Sequence, residues 1–529
     1  MYRKVDLSFR LLWVLWVGLL SHAALAQDAD HFDLWELRVK GNTLLERKEI
    51  ERTVYPFLGE DKNIDTVEKA RAALEEVYQK QGFQTVSVDI PEQDVVGGVV
   101  YLEVTEGRVA RLRVTDSRYF SLGAIKSKVP ELAEGNVPNL PKMQEQLAEL
   151  GKQSSDRTVV PILRAGDTPG TLEVDLKVRD ELPLHGKVEV NGRNVANTSR
   201  LRTIGSIRYD NLWQKFHSAS FMYQVSPEIP EEVEVMVGTY VMPLFDTENR
   251  LALYAVSSSS ESQIASAGAL SVVGIGDIYG ARLVMPLPGK DDYFHTLTAG
   301  VDYKSFDEDL NLIGADTLKT PITYVPFMVQ YAGNLRGEES LLSFSVGLNF
   351  SIRGLGNDEQ EFADKRFQAK PNYMIVNGDI DYSRNLPWGM QFMTRLSGQV
   401  SDSPIISNEQ YSIGGDESVR GYFETQVLSD DGVQGSFELY SPRLLPMNED
   451  WEWVNNLKGL VFFDAGRGWS KDVLAGTDSK FNLASGGFGI RFQALKYLIA
   501  NLDVAFPFIA AGTIESGDPR LHFRVAAEF

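Results

Sequence analysis

Apolar and polar residues alternate through the segment 373–382, which reads YMIVNGDIDY. In an extended strand Met374 and Val376 lie on one face, and Asp379 and Asp381 lie on the other. Alternation over about ten residues is typical of the strands of a membrane-spanning β-barrel, where one face meets lipid and the other lines the lumen. A soluble β-sandwich also alternates, so this segment alone does not distinguish the two folds.

The alternation extends on both sides of this segment, from Gly186 to the end of the chain, and allows sixteen candidate strands. These strands begin near Gly186, Arg200, Lys215, Glu232, Arg250, Asp277, Tyr293, Thr320, Glu339, Phe367, Gly389, Gly432, Leu457, Leu483, Lys496 and Arg520. Closed bacterial barrels have an even number of strands. The region provides about 21 residues per strand on average, which is enough for a strand and its connection. We therefore predict an antiparallel transmembrane β-barrel over residues 186–529.

Two copies of one smaller pattern precede the predicted barrel. Residues 33–107 and 108–180 each show the order strand, helix, helix, strand, strand, with the first helix of the second copy predicted at residues 119–129. In the first copy Val67 begins an apolar helix face, and the run that starts at Asp65 resembles a capping box. A short pattern that repeats in tandem predicts an array of small α+β domains.

The first 26 residues predict a secretory signal peptide. Arg3 and Lys4 are basic, residues 11–20 are apolar, and Ala24 and Ala26 form a small-x-small cleavage site. The apolar run is shorter than the ~20 residues that a membrane-spanning helix needs. We therefore expect an exported chain that is cut after Ala26.

The composition excludes several classes of function. The 529 residues include 73 acidic and 52 basic side chains, and a net charge of −21 does not suit a nucleic-acid partner. There is no cysteine for disulfides or thiolate chemistry, and the six histidines are too scattered for a zinc motif. We expect no catalytic site, no metal and no cofactor. The acidic run 357–361 lacks the spacing of a calcium-binding loop and is predicted to be a solvated extracellular loop.

The longest interval without a predicted strand lies inside the barrel, at residues 402–431. Loops of this length within a compact domain are usually functional. This one contains a run of four residues, Val419, Arg420, Gly421 and Tyr422.

Some 40 residues after this run, a predicted strand carries Phe462, Asp464 and Gly466. If Val461 and Phe463 face lipid, Asp464 faces the lumen. The opposite orientation is disfavoured because a charged side chain in lipid costs ~2–4 kcal/mol at mid-depth.

The two motifs, in this order, resemble those of the TpsB transporters of two-partner secretion, which belong to the POTRA-plus-barrel superfamily. The resemblance covers the chain from Asp33 to Phe529, with further matching runs at residues 157–170 and 210–213. It implies that residues 33–107 and 108–180 are two periplasmic POTRA domains. It also implies that residues 419–422 form the tip of a loop folded into the barrel, and that Phe462, Asp464 and Gly466 form its partner motif on the wall.

The resemblance implies a function as well. The protein is expected in the outer membrane as a monomeric pore, embedded in lipid, whose POTRA domains catch an unfolded exoprotein that the barrel then exports. The C-terminal Phe529 is expected to be the residue that the barrel assembly machinery recognises. The alternatives are an insertase that assembles other barrels, and a passive porin.

Physical chemistry supports the predicted contact between the two motifs. An arginine in the lumen is unfavourable unless it is paired, and Arg420 could form a charge-assisted, bidentate bond with Asp464. The alternatives are a surface arginine in a weak ion pair and an aspartate in an Asx-turn. Archetypal members of the family also carry a plug helix before the first POTRA domain. Only residues 27–32 separate the predicted cleavage site from the first strand here, so the long loop is expected to close the pore.

Overall fold

The computed structural model describes residues 31–529, apart from 197, 245–246, 261–273, 291, 308, 311–317, 357, 446–452 and 496. The predicted signal peptide lies outside the described residues. The chain divides into two compact units, with the boundary between Asp180 and Glu181. Within the described part of the chain, no helix combines the length and the apolarity needed to cross a membrane.

The first half of the N-terminal unit is a three-stranded sheet with two helices. Its elements are β1 (Glu36–Lys40), α1 (Arg47–Val54), α2 (Ile64–Lys80), β2 (Val86–Asp89) and β3 (Val99–Glu106). The central strand β3 pairs in parallel with β1 and antiparallel with β2. The predicted apolar face of α2 is buried at Val67, Ala70 and Leu74. The predicted capping box at Asp65 is wrong, because the side chain of Asn63 caps this helix by accepting from the Thr66 N–H.

The second half repeats the order and the sheet arrangement. Its elements are β4 (Arg108–Thr115), α3 (Leu122–Ser127), α4 (Leu140–Lys152), β5 (Arg157–Ala165) and β6 (Thr171–Asp180). The central strand β6 pairs in parallel with β4 and antiparallel with β5. The helix predicted at 119–129 is shorter than expected, because Ser121 caps α3 and Pro130 begins a separate turn.

The C-terminal unit is a closed antiparallel barrel of sixteen strands within the described residues. The strands are β7 (Leu184–Asn191), β8 (Arg202–Leu212), β9 (His217–Val225), β10 (Glu234–Pro243), β11 (Arg250–Ser260), β12 (Gly274–Lys290), β13 (Tyr293–Phe306), β14 (Ile322–Tyr324 and Pro326–Arg336), β15 (Ser340–Ser351), β16 (Met374–Asn385), β17 (Gln391–Ser401), β18 (Asp431–Tyr440), β19 (Val454–Trp469), β20 (Lys480–Ala494), β21 (Leu498–Pro507) and β22 (Arg520–Glu528). Each strand pairs with its neighbour in sequence, and β22 closes the barrel on β7. The predicted sixteen-stranded barrel is confirmed, although the strand predicted to begin near Phe367 begins at Met374.

The strands have the alternating faces that the sequence predicted. Val461 and Phe463 are 57% and 46% exposed on the outer surface, whereas Asp464, which follows them, is 0% exposed. Met374 and Val376 likewise face outward. The lumen face is therefore the face that carries Asp464.

Two connections fold into the barrel from the same end. We call the end of the barrel at which β7 terminates, at Asn191, the distal end. The connection between β17 and β18, residues 402–430, is the long loop; it holds a small hairpin of Tyr411–Ile413 with Val427–Ser429. The connection between β15 and β16 contains the helix α5 (Glu359–Lys365).

The helix α5 corrects the prediction made for the acidic run 357–361. Its acidic run was expected to be a solvated loop, but Asp358 caps a helix whose Phe362 is fully buried. Residue 357 lies outside the described residues. Asp358 and Glu359 are exposed, and Glu361 is half-buried and accepts from the Thr323 N–H at 3.2 Å, while the Phe362 ring packs inside the barrel. The long loop is consequently not the only inward-folded segment.

Candidate functional site

The long loop reaches the barrel wall through a tight turn at its tip. Gly414 and Gly415 follow the first strand of the loop hairpin with φ values of +112° and +111°, a region that side-chain-bearing residues rarely adopt. A Cβ at Gly415 would lie 2.3 Å from the Glu424 carboxylate. These glycines therefore allow the tip, residues 419–422, to turn back against the lumen face.

Arg420 and Asp464 form a buried bidentate ion pair. The Arg420 Nε donates to Asp464 Oδ2 at 2.7 Å, and Nη2 donates to Oδ1 at 2.9 Å. The backbone N–H of Arg420 also donates to Oδ2, at 3.1 Å. Arg420 is 2% exposed, so the pair is shielded from water. The contact anticipated from the sequence is present in the fold.

Further partners surround the guanidinium. Its Nη1 lies 2.7 Å from Glu438 Oε1 and 3.4 Å from Asp503 Oδ2, and Nη2 donates to Ser436 Oγ at 3.1 Å. The guanidinium carbon stands 3.5 Å above the centre of the Phe462 ring, in a cation–π contact. This explains the aromatic residue two positions before Asp464.

A second arginine pairs with one of these carboxylates. Arg491 donates to both oxygens of Asp503, at 2.7 and 2.8 Å. The Tyr440 hydroxyl donates to Glu438 at 2.7 Å. We call the set of Arg420, Glu438, Asp464, Arg491 and Asp503 the ionic site. Two cations face three carboxylates there, so removal of either cation leaves buried negative charge uncompensated.

The neighbours of Arg420 in the tip are held by neutral contacts. The Gly421 N–H donates to Nε2 of the buried His522 at 2.8 Å, which requires the tautomer with the proton on Nδ1. The Tyr422 hydroxyl donates to the Ile509 carbonyl at 2.7 Å. Val419 is fully buried.

Gly466 completes the wall motif for a steric reason. A Cβ on this residue would lie 2.5 Å from Ile413 Cγ2 and 3.1 Å from Val419 Cγ2. The absence of a side chain lets the loop hairpin lie directly on β19.

The tip is also held by the β7–β8 connection. Arg193 Nη1 donates to Glu417 at 2.8 Å, and its Nε lies 3.3 Å from Glu424. Burial raises the pKa of the Glu424 carboxyl, while the nearby Arg193 guanidinium opposes that rise. Arg520 stands 3.8 Å above the Phe423 ring.

Phe529 lies apart from the ionic site, at the seam where β22 meets β7. Its N–H and C=O exchange hydrogen bonds with Gly186 at 2.9 and 2.8 Å, and its side chain is 76% exposed. The seam is paired over five residues, and Arg524 donates to Glu189 across it at 2.9 Å.

The sequence motifs did not identify Glu438, Asp503, Arg491 or His522. Each is a charged or polar residue at an inward position of its strand, as Asp503 is in the run LIANLDVAFP. That signal is available in the sequence, but it does not say which inward residue contacts the loop.

Comparisons with known proteins agree with this geometry. Residues 32–107 match the family described as POTRA domain, ShlB-type, and residues 170–492 match the family described as haemolysin secretion/activation protein ShlB/FhaC/HecB. The outer membrane transporter CdiB of Dickeya dadantii (strain 3937) is 23% identical over 415 residues, which span 77% of this chain and 72% of the relative. The protein of the same name from Escherichia coli is 23% identical over 429 residues, spanning 76% of this chain and 67% of the relative.

Solved structures show the same fold. CdiB from Escherichia coli aligns with a TM-score of 0.61 and 19% identity, covering 97% of this chain and 93% of that one. BamA from Haemophilus ducreyi, lacking POTRA domains 1–3, aligns with a TM-score of 0.56 and 15% identity, covering 94% and 100%. At such identities the likeness establishes architecture, and function has to be argued from the site.

Proposed function

Because the chain belongs to the haemolysin secretion/activation family ShlB/FhaC/HecB and is an outer-membrane transporter of two-partner secretion, we propose that its N-terminal unit receives one dedicated exoprotein in unfolded form. The barrel then carries the exoprotein from the periplasm to the cell surface. No nucleotide drives this step, since folding of the exoprotein outside the cell makes its return unfavourable. The single observation that supports a loop-controlled channel is the buried Arg420–Asp464 pair inside the barrel.

We propose that residues 108–180 form a second POTRA domain beside that of residues 33–107. Both halves have a central strand with one parallel and one antiparallel neighbour, in the same chain order. They are joined within the unit by Asn139, whose side chain donates to the Gln81 carbonyl at 2.6 Å, and by a backbone bond from Leu140 to Gly82 at 2.9 Å. The two halves therefore present two sheets to the client, in the order in which they occur along the chain.

The sheet edges of this unit suit an extended client. The edge of β4 is partly occupied, because Val109 exchanges backbone hydrogen bonds with Gly135 and Asn136. Among the described residues, β5 between Thr158 and Arg164 has backbone partners in β6 alone. An unfolded segment can add to such an edge as a further strand, and this recognition depends on backbone more than on side chains.

We propose that the long loop controls the channel and that residues 419–422, with Phe462, Asp464 and Gly466, hold it in its resting position. The loop tip is fixed by a buried ion pair, a cation–π contact and a histidine, all of them on the barrel wall. Such a site has one geometry in which its charges are satisfied, so it suits a discrete resting state.

The test is made in a strain in which a gene for a large exoprotein lies beside this gene, and it measures secretion of that exoprotein. Deletion of the transporter gene should leave that exoprotein in the periplasm, and the wild-type chain supplied in trans should return it to the medium. Unchanged secretion in the deletion strain would contradict the proposal.

A second candidate function is insertion of other barrel proteins into the outer membrane. Two observations favour it: the likeness to BamA, and a seam paired over five residues between β7 and β22. A disulfide between Lys187→Cys and Glu528→Cys, at positions that are partners in this seam, separates the two functions. It should abolish insertase activity, which needs the seam to part, and leave secretion through the lumen intact.

A further inference from the structure

We infer that residues 358–373, the α5 segment, are a second closure of the barrel, and that Arg366 is a positioning residue that ties the base of the long loop to it. This inference depends on the proposed function only for the direction of transport. It concerns the resting state of the pore and can be tested without any exoprotein.

The α5 segment is anchored in the barrel by Phe362. This ring is 0% exposed and meets the ring of Tyr324 edge-on at 5.6 Å, and the ring of Tyr373 at 6.3 Å. The wall around it is apolar on the lumen side of several strands, through Val235, Val237, Val256, Ile278, Phe306 and Ile375. An apolar lumen face is unfavourable in a water-filled channel, so this wall requires a cover, and Phe362 is part of that cover.

Arg366 connects the α5 segment to the long loop. Its Nη2 donates to Asp430 Oδ2 at 2.7 Å, and its Nη1 donates to Asp430 Oδ1 and to the Ile405 carbonyl. Ile405 and Asp430 belong to the two ends of the long loop, so one guanidinium holds both. Because the pair is bidentate, it also fixes the orientation of the two side chains relative to each other.

Asp430 is fully buried and depends on this arginine for its charge balance. Its carboxylate also accepts from the backbone N–H groups of Ile405 at 3.1 Å and Lys471 at 2.7 Å, and from Gln410 Nε2 at 3.3 Å. The only side-chain ion pair of Asp430 among the described residues is the one with Arg366. A buried carboxylate that loses its cation forces a rearrangement of the groups around it.

The apolar cover and the ion pair together couple the two inward segments. The long loop cannot leave its base position without breaking the Arg366–Asp430 pair, and the α5 segment cannot leave the lumen without exposing Phe362 and the apolar wall. The two segments therefore open together. The tip of the loop is held on the opposite wall by Arg420, so Arg366 provides an independent second anchor.

The experiment measures ion conductance of the purified full chain in planar bilayers with potassium chloride. The wild type should be mostly closed, and Arg366→Ala should raise the open fraction by about tenfold or more, since loss of one partner of a buried pair shifts a two-state equilibrium at least that far. Arg366→Lys should fall between the two, because lysine keeps the charge and loses the bidentate bond. Arg353→Ala is the matched control, since its ion pair with Glu359 in the same connection is exposed.

A second measurement remains informative if Arg366→Ala does not fold. The chain has no cysteine, so the pair Phe362→Cys with Tyr324→Cys can be cross-linked selectively by a cleavable bifunctional thiol reagent. Cross-linking should abolish the openings, and reduction should restore them. The control pair is Ser345→Cys with Asp379→Cys, which joins two strands that are already register partners.

Each of three results would overturn the inference. The first is a wild-type chain that conducts continuously like an open porin. The second is openings that persist after mass spectrometry has verified the cross-link between positions 362 and 324. The third is an unchanged open fraction in a folded, heat-modifiable Arg366→Ala barrel. None of these results bears on secretion of the exoprotein, which the gene deletion tests separately.

Discussion

The lumen of this barrel has two unlike walls, and the long loop contacts both. On one side, β18, β19, β20 and β21 supply the carboxylates and the arginine of the ionic site around Arg420. On the other side, β10 to β14 and β16 supply valine, isoleucine and aromatic side chains beneath Phe362. The same loop is thus held by charge on one wall and covers an apolar surface at the other.

The two walls differ in how well their contacts with the inward segments tolerate substitution. A bidentate ion pair in a buried site is satisfied in one geometry, and removal of one partner leaves the other without compensation. An apolar cluster tolerates exchange of similar side chains as long as the volume is retained. We therefore expect the ionic wall to fail after a conservative substitution and the apolar wall to accept one.

The largest effect is expected from Arg420→Ala. Loss of the guanidinium leaves Asp464, Glu438 and Asp503 under-compensated, at a cost of about 3–5 kcal/mol to the docked loop. Export of the exoprotein should be lost while the barrel stays folded and heat-modifiable. Arg467→Ala is the control, because that arginine is exposed on the same strand. Wild-type export by Arg420→Ala, or no coupling in a double-mutant cycle with Asp464→Ala, would contradict the tether.

The next effect in size is expected from Gly466→Ala. The new Cβ would meet Ile413 at 2.5 Å and lift the loop hairpin from β19, which should cost about 1–3 kcal/mol by overpacking. Proteolysis of the long loop in the folded barrel should become faster. Gly459→Ala on the same strand is the control, since its Cβ would approach no atom closer than 3.8 Å. Equal cleavage rates for the two variants would show that the loop does not lie on the wall at Gly466.

The comparison between the walls is sharpest for a pair of conservative substitutions. Phe362→Leu should lower the free energy of unfolding by less than about 1.5 kcal/mol, because leucine keeps much of the buried volume. Arg420→Lys should reduce export strongly, because lysine cannot make the bidentate bond or match the cation–π geometry. Export is measured for both variants, and Phe362→Leu should retain more of it than Arg420→Lys. Comparable losses would mean that the two walls are equally specific.

The smallest effect on the folded barrel is expected from deletion of Phe529. The exposed side chain and the hydrogen bonds to Gly186 contribute about 1 kcal/mol to the seam. The amount of barrel in the outer membrane should nevertheless fall, if the assembly machinery recognises this residue. The measurement is heat-modifiable barrel in outer-membrane fractions, and an undiminished amount would exclude that role.

The sequence allowed the prediction of the strand order and of the Arg420–Asp464 contact. Alternation with period two reports directly which residues share a face, so Asp464 could be placed inward from Val461 and Phe463 alone. The strand near Phe367 was misplaced because Phe367 and Ala369 alternate with Gln368 and Lys370 as in a strand, although these residues belong to the connection after α5.

The rest of the site could not be predicted, for two physical reasons. Glu438, Asp503 and His522 converge on Arg420 and its neighbour Gly421 from separate strands, and alternation gives the face of a residue without its height or its neighbour across the lumen. Val235 and Val237 share one face of β10 by alternation, but the neighbouring Met236 makes both faces of this strand apolar. Only the presence of Phe362 inside the barrel shows which face is covered.

The spacing of the loop-tip contacts along the chain has a consequence for folding order. The partners of the tip are 16, 44, 83 and 101 residues away, at Ser436, Asp464, Asp503 and His522, whereas Arg524 and Glu189 at the seam are 335 apart. Each doubling of a closed loop adds only about 0.6 kcal/mol of closure entropy, but contacts distant in sequence form slowly. The loop tip can form its contacts with β18, β19, β21 and β22 in this order, before the seam between β22 and β7 forms. We therefore expect the loop tip, with Arg420 and Gly421, to act as a template on which the C-terminal strands assemble.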